Sequence, residues 1–338
     1  MFKKIVFPVL MLMMTCIFIF PLAAQAEGDR VSYSVEALIP ENQIDLKQSY
    51  FDLDMEPNQK QQLGVIIHNN EPEEITVLLS VHNATTNSNG LVVYEHKKEI
   101  DSSLEVPLTD ILSFSNEEVI IPAGKSKTVV AELQMPEEEF DGIILGGLHF
   151  EKVLKEEETS EGVNIQNKYA YVIGVQLSEN TNEVRPDLHL TSIRPDLVNY
   201  RTAVIANIQN SEPTLMKDMA VNARIYKKGK KEVFKEKKQE QINMAPNSNI
   251  NIFIDWDNQP LEPGTYLLEM EAFHEEEVWE WKEEFVIEKD NAKDLNKDAV
   301  ELEKDDKLWV WLLVGIGALI IIIIILLIYI RKLKDKKD

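Results

Sequence analysis

Six histidines carry the side chains best suited to metal binding and proton transfer at neutral pH. They are His68, His82, His96, His149, His189 and His274. No pair has the i, i+4 spacing of a helical zinc site, and no HExxH segment occurs. His274 precedes three glutamates in a segment typical of an exposed hairpin turn. The spacing therefore predicts no transition-metal site and no cofactor.

Motifs that activate nucleophiles or bind phosphate are also missing from the sequence, which contains no GxSxG, GxGxxG or GxxxxGK[ST] segment. The one cysteine, Cys16, lies in the apolar N-terminal stretch. The chain beyond it therefore has no thiol nucleophile and no disulfide. The glycines of DGIILGG (141–147) are typical of a crowded strand or a bulge. We predict that the protein is not an enzyme.

The many carboxylates leave two alternatives open. Asp and Glu together number 58, so a cleft could bring two of them to the separation that glycoside hydrolysis needs. A cell-wall hydrolase using an Asp/Glu pair is therefore the alternative from the enzyme class. Clustered carboxylates also favour calcium, although no DxDxDG loop is present, and a calcium-dependent adhesin is the other alternative.

The charge balance excludes nucleic acid as a partner. Between residues 27 and 307 the sequence has 28 basic and 56 acidic residues, a net charge near −28. A field of this sign repels phosphate backbones and anionic lipid surfaces. It favours solubility and basic partners.

Both ends of the chain predict export and membrane attachment. Residues 1–26 have two lysines, a short apolar core and the closing segment Ala24-Gln25-Ala26, as a cleaved signal peptide does. Residues 308–330 are uncharged and long enough to span a bilayer, and a basic tail follows at 331–338. The positive-inside rule then predicts a single-pass cell-membrane protein with an extracellular N-terminal region, within the cell-wall zone, and a cytoplasmic tail.

Alternation of apolar and polar residues dominates the region between these ends. Ile75, Val77 and Leu79 share one face, and the segments 204–208, 250–256 and 266–272 repeat the pattern. This period of two is typical of antiparallel sheets with one buried side. The chain is therefore predicted to be all-β, with two immunoglobulin-like β-sandwich domains plus one C-terminal transmembrane helix.

Charge runs predict the division of the chain. The first sandwich is expected at 27–152 and the second at 163–288. A linker with few apolar residues would separate them at 153–162, and a charged stalk would follow at 289–307.

Six segments together resemble the WxL-interacting proteins of Gram-positive cell surfaces. They are VEALIPENQIDLKQSYFDL (35–53), NATTNSNGLVVY (83–94), FDGIILGGLHF (140–150), YVIGVQL (171–177), MAPNS (244–248) and PGTY (263–266). The sequence has Pro57-Asn58 where relatives often have Pro-Gly. Asn adopts a similar turn geometry, so this departure leaves the resemblance intact.

The resemblance implies an N-terminal peptidoglycan-binding domain and a C-terminal domain that binds host proteins. It also implies complexes with WxL-domain proteins attached to the wall. By match to the family motifs, and by polarity near turns, the predicted binding residues are Pro40, Glu41, Asn42, Gln43, Tyr50, Phe51, Asp52, Thr85, Asn87, Asn89, Asp141 and Gly142. The predicted function is a membrane-anchored cell-surface scaffold or adhesin. Its predicted partners are peptidoglycan, WxL-domain proteins and host extracellular-matrix or serum proteins.

Overall fold

The computed structural model describes residues 32–96, 99–154 and 169–302, together with residues 313, 316, 317 and 319–325. Its regular structure is mostly β, as predicted. The strands are β1 (Tyr33–Leu38), β2 (Phe51–Asp54), β3 (Lys60–Asn69), β4 (Ile75–Asn83), β5 (Thr85–Thr86), β6 (Val92–Val93), β7 (Leu112–Phe114), β8 (Glu118–Ile121), β9 (Ser126–Gln134), β10 (Ile144–Lys152), β11 (Ala170–Ser178), β12 (Leu188–Val198), β13 (Arg201–Asn210), β14 (Met216–Lys227), β15 (Lys235–Met244), β16 (Ser248–Asp255), β17 (Gly264–His274) and β18 (Glu277–Ile287). Two helices accompany them, α1 (Leu108–Ile111) and α2 (Lys289–Asp298).

Two sheets form the first sandwich, in the strand orders β1-β3-β9-β7 and β2-β11-β10-β4-β8. Their facing side chains make one hydrophobic cluster. The predicted alternation in β4 is confirmed, because Ile75, Val77 and Leu79 all enter this cluster while Leu78 is exposed. Pleating explains this outcome, since successive side chains of a strand point to opposite faces.

β11 changes the predicted division of the chain. The second sandwich was expected from residue 163, but β11 pairs antiparallel with β10 and parallel with β2, so it belongs to the first sandwich. The described second sandwich begins with β12 at Leu188. The predicted linker, 153–162, therefore falls between β10 and β11, and most of it lies outside the described residues.

The second sandwich pairs a sheet of order β12-β13-β16 with one of order β15-β14-β17-β18. Its hydrophobic cluster contains the predicted alternating residues of β13, β16 and β17. Trp256 is almost completely buried there, with Phe234 and Tyr266 against its ring. Large aromatic surfaces of this kind contribute much of the stability of a small β core.

A short ribbon, β5–β6, leaves the first sandwich and packs on the second. The Thr86 hydroxyl accepts a hydrogen bond from Ala245 N–H (3.0 Å) and lies 2.7 Å from Ser248 Oγ. Asn243 N–H donates to the carbonyl of Gly90 at 2.7 Å. A Cβ at Gly90 would lie 3.0 Å from Ile242, so glycine permits this close approach.

A second set of contacts completes the domain interface. The Asp101 carboxylate accepts hydrogen bonds from Gln209 (2.6 Å) and Asn249 (2.8 Å). Ile143 N–H donates to the carbonyl of Pro213 at 2.8 Å. Because both side-chain and main-chain groups are paired across the interface, the two sandwiches are joined by more than their connecting chain.

The segment after β18 differs from the predicted charged stalk. Residues 289–298 form α2, which packs on the second sandwich through Ala292 and Leu295. The Asn296 side chain bonds both the N–H and the carbonyl of Leu261, at 2.7 and 2.9 Å. Only one narrow stripe of this helix is apolar. Its many charged residues therefore indicated a solvated stalk in the sequence and not a packed helix.

The prediction of a single-pass membrane protein with a spanning helix at 308–330 is contradicted. In the part of the chain that the structure describes, no helix combines the length and the apolar character that crossing a bilayer demands. The predicted signal peptide (1–26) and basic tail (331–338) lie outside the described residues.

Candidate functional site

An open groove lies where the two sheets of the first sandwich meet at their edges. β2 pairs only with residues 175–178 of β11, so the preceding half of β11 has no strand on that side. β1 forms the opposite wall, at the edge of the other sheet. We call this space of about 750 Å³ the edge groove.

Tyrosines and glycines shape the edge groove. Tyr50 and Tyr94 line it, and Tyr50 is 36% exposed. Gly147 and Gly174 lie beneath them on the outer face of the sheet, where a Cβ at Gly147 would lie 3.2 Å from the Tyr94 ring. Burial raises the pKa of Tyr94, and the nearby Tyr50 raises it further. The absent glycine side chains therefore let aromatic rings lie directly on the sheet.

Polar groups extend the groove toward β2. Gln176 lines the groove and donates a hydrogen bond from Nε2 to Asp52 Oδ1 at 2.8 Å. Burial raises the pKa of Asp52, although the hydrogen bond from Gln176 opposes this shift. Together these groups offer an amide and a carboxylate beside the aromatic rings. Rings with a few polar groups beside them are the usual lining of carbohydrate and peptide sites.

Tyr33 lies at the start of β1, and its side chain is completely buried. Its hydroxyl lies 2.8 Å from the carbonyl oxygen of Phe150 and 2.9 Å from that of Tyr169. Burial raises the pKa of Tyr33 to about 12. The hydroxyl therefore stays protonated and ties β1 to the start of β11.

The predicted residues of the segment PENQ build a loop and do not line the groove. Gln43 is only 7% exposed, and its side chain bonds the carbonyl of Tyr50 (3.0 Å) and the N–H of Asp52 (3.1 Å). Asn42 similarly donates to the carbonyl of Asp54 at 2.8 Å. Pro40 accepts a hydrogen bond from Gln43 N–H. This network fixes the loop that carries Tyr50.

The other members of the two motif segments have different positions. Glu41 is exposed, whereas Phe51 is completely buried in the core of the first sandwich. Tyr50 and Asp52 lie at the groove. The loop before β2 thus contributes Tyr50 to the site, and β2 itself contributes Asp52. The other predicted residues of this segment are structural.

The predicted residues of the loop 85–89 belong to the β5–β6 ribbon. Thr85 starts β5, and Asn87 Oδ1 accepts the N–H groups of Asn89 and Leu91, each at 3.0 Å. Asn89 itself is exposed. These residues form the turn of the ribbon that packs against the second sandwich.

Asp141 and Gly142 also lie at or near the domain interface. Asp141 accepts hydrogen bonds from Asn180 and Asn182 at 3.0 and 2.8 Å. Gly142 has φ +80°, and a Cβ there would lie 2.3 Å from the carbonyl oxygen of Pro213. Both the backbone conformation and the neighbouring domain therefore require glycine at this position.

Three histidines cluster beyond Tyr94 on the same sheet face. The His82 ring lies 5.1 Å from His149 and 6.0 Å from His96, measured between centroids. Burial lowers the pKa of His82 and His149, and the neighbouring imidazoles lower that of His82 further. In the described ranges no group of three His, Cys, Asp or Glu side chains is arranged to hold a metal ion.

Sequence reasoning missed most of the groove. Tyr94, Val172, Gly174 and Gln176 were not among the predicted binding residues, although they lie within NATTNSNGLVVY and YVIGVQL. Their presence in motif segments was the available signal. The local sequence of β11 gives no sign that this strand lies beside Tyr50 and Tyr94. Their proximity depends on the parallel pairing of β2 with β11, which are far apart in sequence.

Two family profiles match the chain. Residues 33–152 match the profile "WxL Interacting Protein, peptidoglycan binding domain", and residues 160–297 match "WxL Interacting Protein, host binding domain". The second match includes β11, which the structure pairs with the first sandwich. A comparison with curated protein sequences gave no match.

Among solved structures, several chaperones match the chain at low identity. The E. coli chaperone DraB has 11% identity and a TM-score of 0.28, with 76% of this chain and 98% of that chain covered. The YadV chaperone has 8% identity and a TM-score of 0.29, with 75% and 100% covered. The Pseudomonas aeruginosa CupB2 chaperone has 10% identity and a TM-score of 0.26, with 68% and 92% covered.

Proposed function

The chain belongs to the WxL-interacting protein family. From that premise we propose that it is a non-catalytic cell-surface scaffold whose edge groove binds the peptidoglycan of the cell wall. Domains of this family bind peptidoglycan and interact with WxL surface proteins. In this proposal the first sandwich binds the wall and the second sandwich binds proteins.

One observation carries this location. The edge groove brings Tyr50, Tyr94 and the Gln176–Asp52 pair together on the outer face of the first sandwich. Sugar rings stack on exposed aromatic faces, and their hydroxyl and amide groups pair with carboxylates and amides. Peptidoglycan presents both kinds of group along one polymer, so it matches the groove in chemistry.

The second sandwich would carry the protein-binding role. The Thr86 and Asp101 contacts support a fixed orientation between the sandwiches. With that orientation, a wall-bound first domain would present the second domain in one direction. WxL-domain proteins, and host extracellular proteins as a further class, are the partners proposed for the second domain.

The hydrolase alternative has one feature in its favour, since burial raises the pKa of Asp52 beside the groove. A general acid needs such a shift, and it also needs a second carboxylate across the scissile bond. Asp52 is bonded instead to the amide of Gln176. We therefore assign Asp52 a binding role, which Asp52→Asn tests directly.

Co-sedimentation of the purified protein with purified peptidoglycan tests the proposal. We expect Tyr50→Ala to weaken wall binding about tenfold, because an anchoring aromatic contributes on the order of 1–2 kcal/mol at a binding site. Tyr200→Ala is the matched control, since Tyr200 is 69% exposed on the second sandwich, at the β12–β13 turn. Unimpaired binding by Tyr50→Ala would refute the assignment of the groove.

The same samples separate the alternatives. Release of soluble muropeptides by the wild type, lost in Asp52→Asn, would favour the hydrolase. A rise in melting temperature with added calcium would favour the calcium-dependent adhesin. The scaffold predicts neither result, and it predicts wall binding that is unchanged by calcium chelation.

A further inference from the structure

The wall of the edge groove formed by β11 has main-chain groups that no strand among the described residues pairs with. Met55 N–H donates to the carbonyl of Ser178 at 2.9 Å, which puts the backbone groups of Ser178 on the β2 side. Along a strand, the main-chain N–H and carbonyl groups of successive residues point to opposite sides. The N–H and carbonyl groups of Val172 and Gly174 therefore also point to the β2 side. β2 starts at Phe51, opposite Val175, and among the described strands none lies beside Val172 on that side.

The opposite wall has the same property. Asn70 N–H donates to the carbonyl of Ser32 at 3.1 Å, so the even-numbered residues of β1 face β3. The backbone groups of Val35 and Ala37 therefore point away from β3, toward the edge groove. Val35 and Ala37 also line the groove, together with Val172. Each wall thus offers main-chain donors and acceptors between small apolar side chains.

Only a short stretch of the β11 edge lacks a described strand beside it. Tyr50 and the start of β2 occupy the edge where this stretch ends. The stretch from Ala170 to Gly174 corresponds to roughly 17 Å of extended chain. A stretch of this length matches a short peptide of about five residues.

We propose that the edge groove binds the peptide stem of peptidoglycan as an added strand along β11. This deepens the proposed function and rests on it. The stem lies extended beside Val172, whose N–H and carbonyl pair with its main chain, as in other cases of strand addition. The sugar at the base of the stem then lies against Tyr50, next to the start of β2. The protein would thus recognise the wall mainly through the peptide stem of peptidoglycan.

Two pairs of variants test the proposal in the full-length protein. Val172→Pro removes the N–H that faces the groove and leaves the groups that pair with β10, and Val172→Ala keeps that N–H. Gly174→Ala narrows the groove with a methyl that meets Tyr50 and Tyr94 at an ordinary 3.7 Å. Gly264→Ala is its control, since that strand glycine in the second sandwich also has room for a Cβ.

The probes are a synthetic stem peptide, intact purified wall, and glycan strands freed of peptide by an amidase. We expect the wild type to bind the stem peptide and to bind stripped glycan about tenfold more weakly than intact wall. Val172→Pro should weaken stem-peptide binding about tenfold, which corresponds to about one lost hydrogen bond. Gly174→Ala should also weaken it, because its methyl occupies space in the groove. Val172→Ala keeps the N–H but shortens a side chain that lines the groove, so it should weaken binding much less than Val172→Pro. Gly264→Ala should bind as the wild type does.

Equal affinity of the wild type for stripped glycan and intact wall would overturn the peptide proposal and leave the proposed function standing. So would wild-type stem-peptide affinity in both Val172→Pro and Gly174→Ala. If Val172→Pro fails to fold, as circular dichroism would show, the comparison of Gly174→Ala with Gly264→Ala decides alone. Failure of the wild type to bind intact wall would overturn the proposed function itself.

Discussion

Gly142→Ala is expected to separate the two sandwiches without disturbing either core. Alanine at φ +80° costs about 1 kcal/mol, because its Cβ crowds the backbone in the left-handed region. The new Cβ would also lie 2.3 Å from the carbonyl oxygen of Pro213, a backbone atom that cannot turn aside. The hydrogen bond from Ile143 N–H to that oxygen must then break, which costs about 1 kcal/mol more. The total is about 2 kcal/mol.

Gly229→Ala is the matched control for this substitution. Gly229 has φ +79°, and a Cβ there would meet no atom within 4 Å. It should cost only the backbone share, about 1 kcal/mol. Calorimetric unfolding of both variants measures the difference, and small-angle scattering reports whether the domains move apart. Equal destabilisation by Gly142→Ala and Gly229→Ala, with unchanged scattering, would refute the interface described above.

Three further predictions concern the frame of the site and its pH response. Gln43→Ala should cost about 1–2 kcal/mol in urea unfolding, because it leaves two partly buried backbone groups, the carbonyl of Tyr50 and the N–H of Asp52, without their side-chain partner. A cost below about 0.5 kcal/mol would contradict that role. The pKa values of His82 and His149 are lowered in the folded protein, so the unfolded chain binds more protons at mildly acidic pH. Stability should therefore fall as pH drops through about 6.5 and level off below the folded-state pKa. His149→Gln should reduce this dependence of melting temperature on pH. Tyr200→Gly should stabilise by about 0.5–1 kcal/mol, because Tyr200 has φ 62° in an exposed turn, and Tyr200→Ala should gain less.

The strands could be predicted because their signal is local. Alternation along β4 or β17 follows from pleating, and any sheet that buries one face imposes it. The partner of each strand could not be predicted in the same way. The alternation of β11 is compatible with either sandwich, and only pairing with β2 and β10, far away in sequence, decides between them. The predicted boundary at residue 163 groups β11 with the second domain, whereas the structure pairs this strand with the first sandwich.

The helix α2 was missed for a different physical reason. Its segment KDNAKDLNKD has only Ala292 and Leu295 to bury, at a spacing of three. An isolated helix of this length is marginal in water, so the sequence alone favours a solvated segment. The second sandwich stabilises the helix through Asn296 and these two side chains.

The candidate site was predicted only in part because its main features are not side chains. The motif polar residues Gln43 and Asn42 attract attention in the sequence, yet their hydrogen bonds are used inside the protein to hold the loop before β2. Strand addition, in contrast, uses the main-chain groups of Val172, and any residue other than proline supplies these. A sequence can indicate such a site only through what must be small or aromatic around it, as at Gly174 and Tyr50. A motif in this family is therefore better evidence for the frame of the groove than for the atoms that contact the wall, and variants should be designed against exposed backbone edges as well as polar side chains.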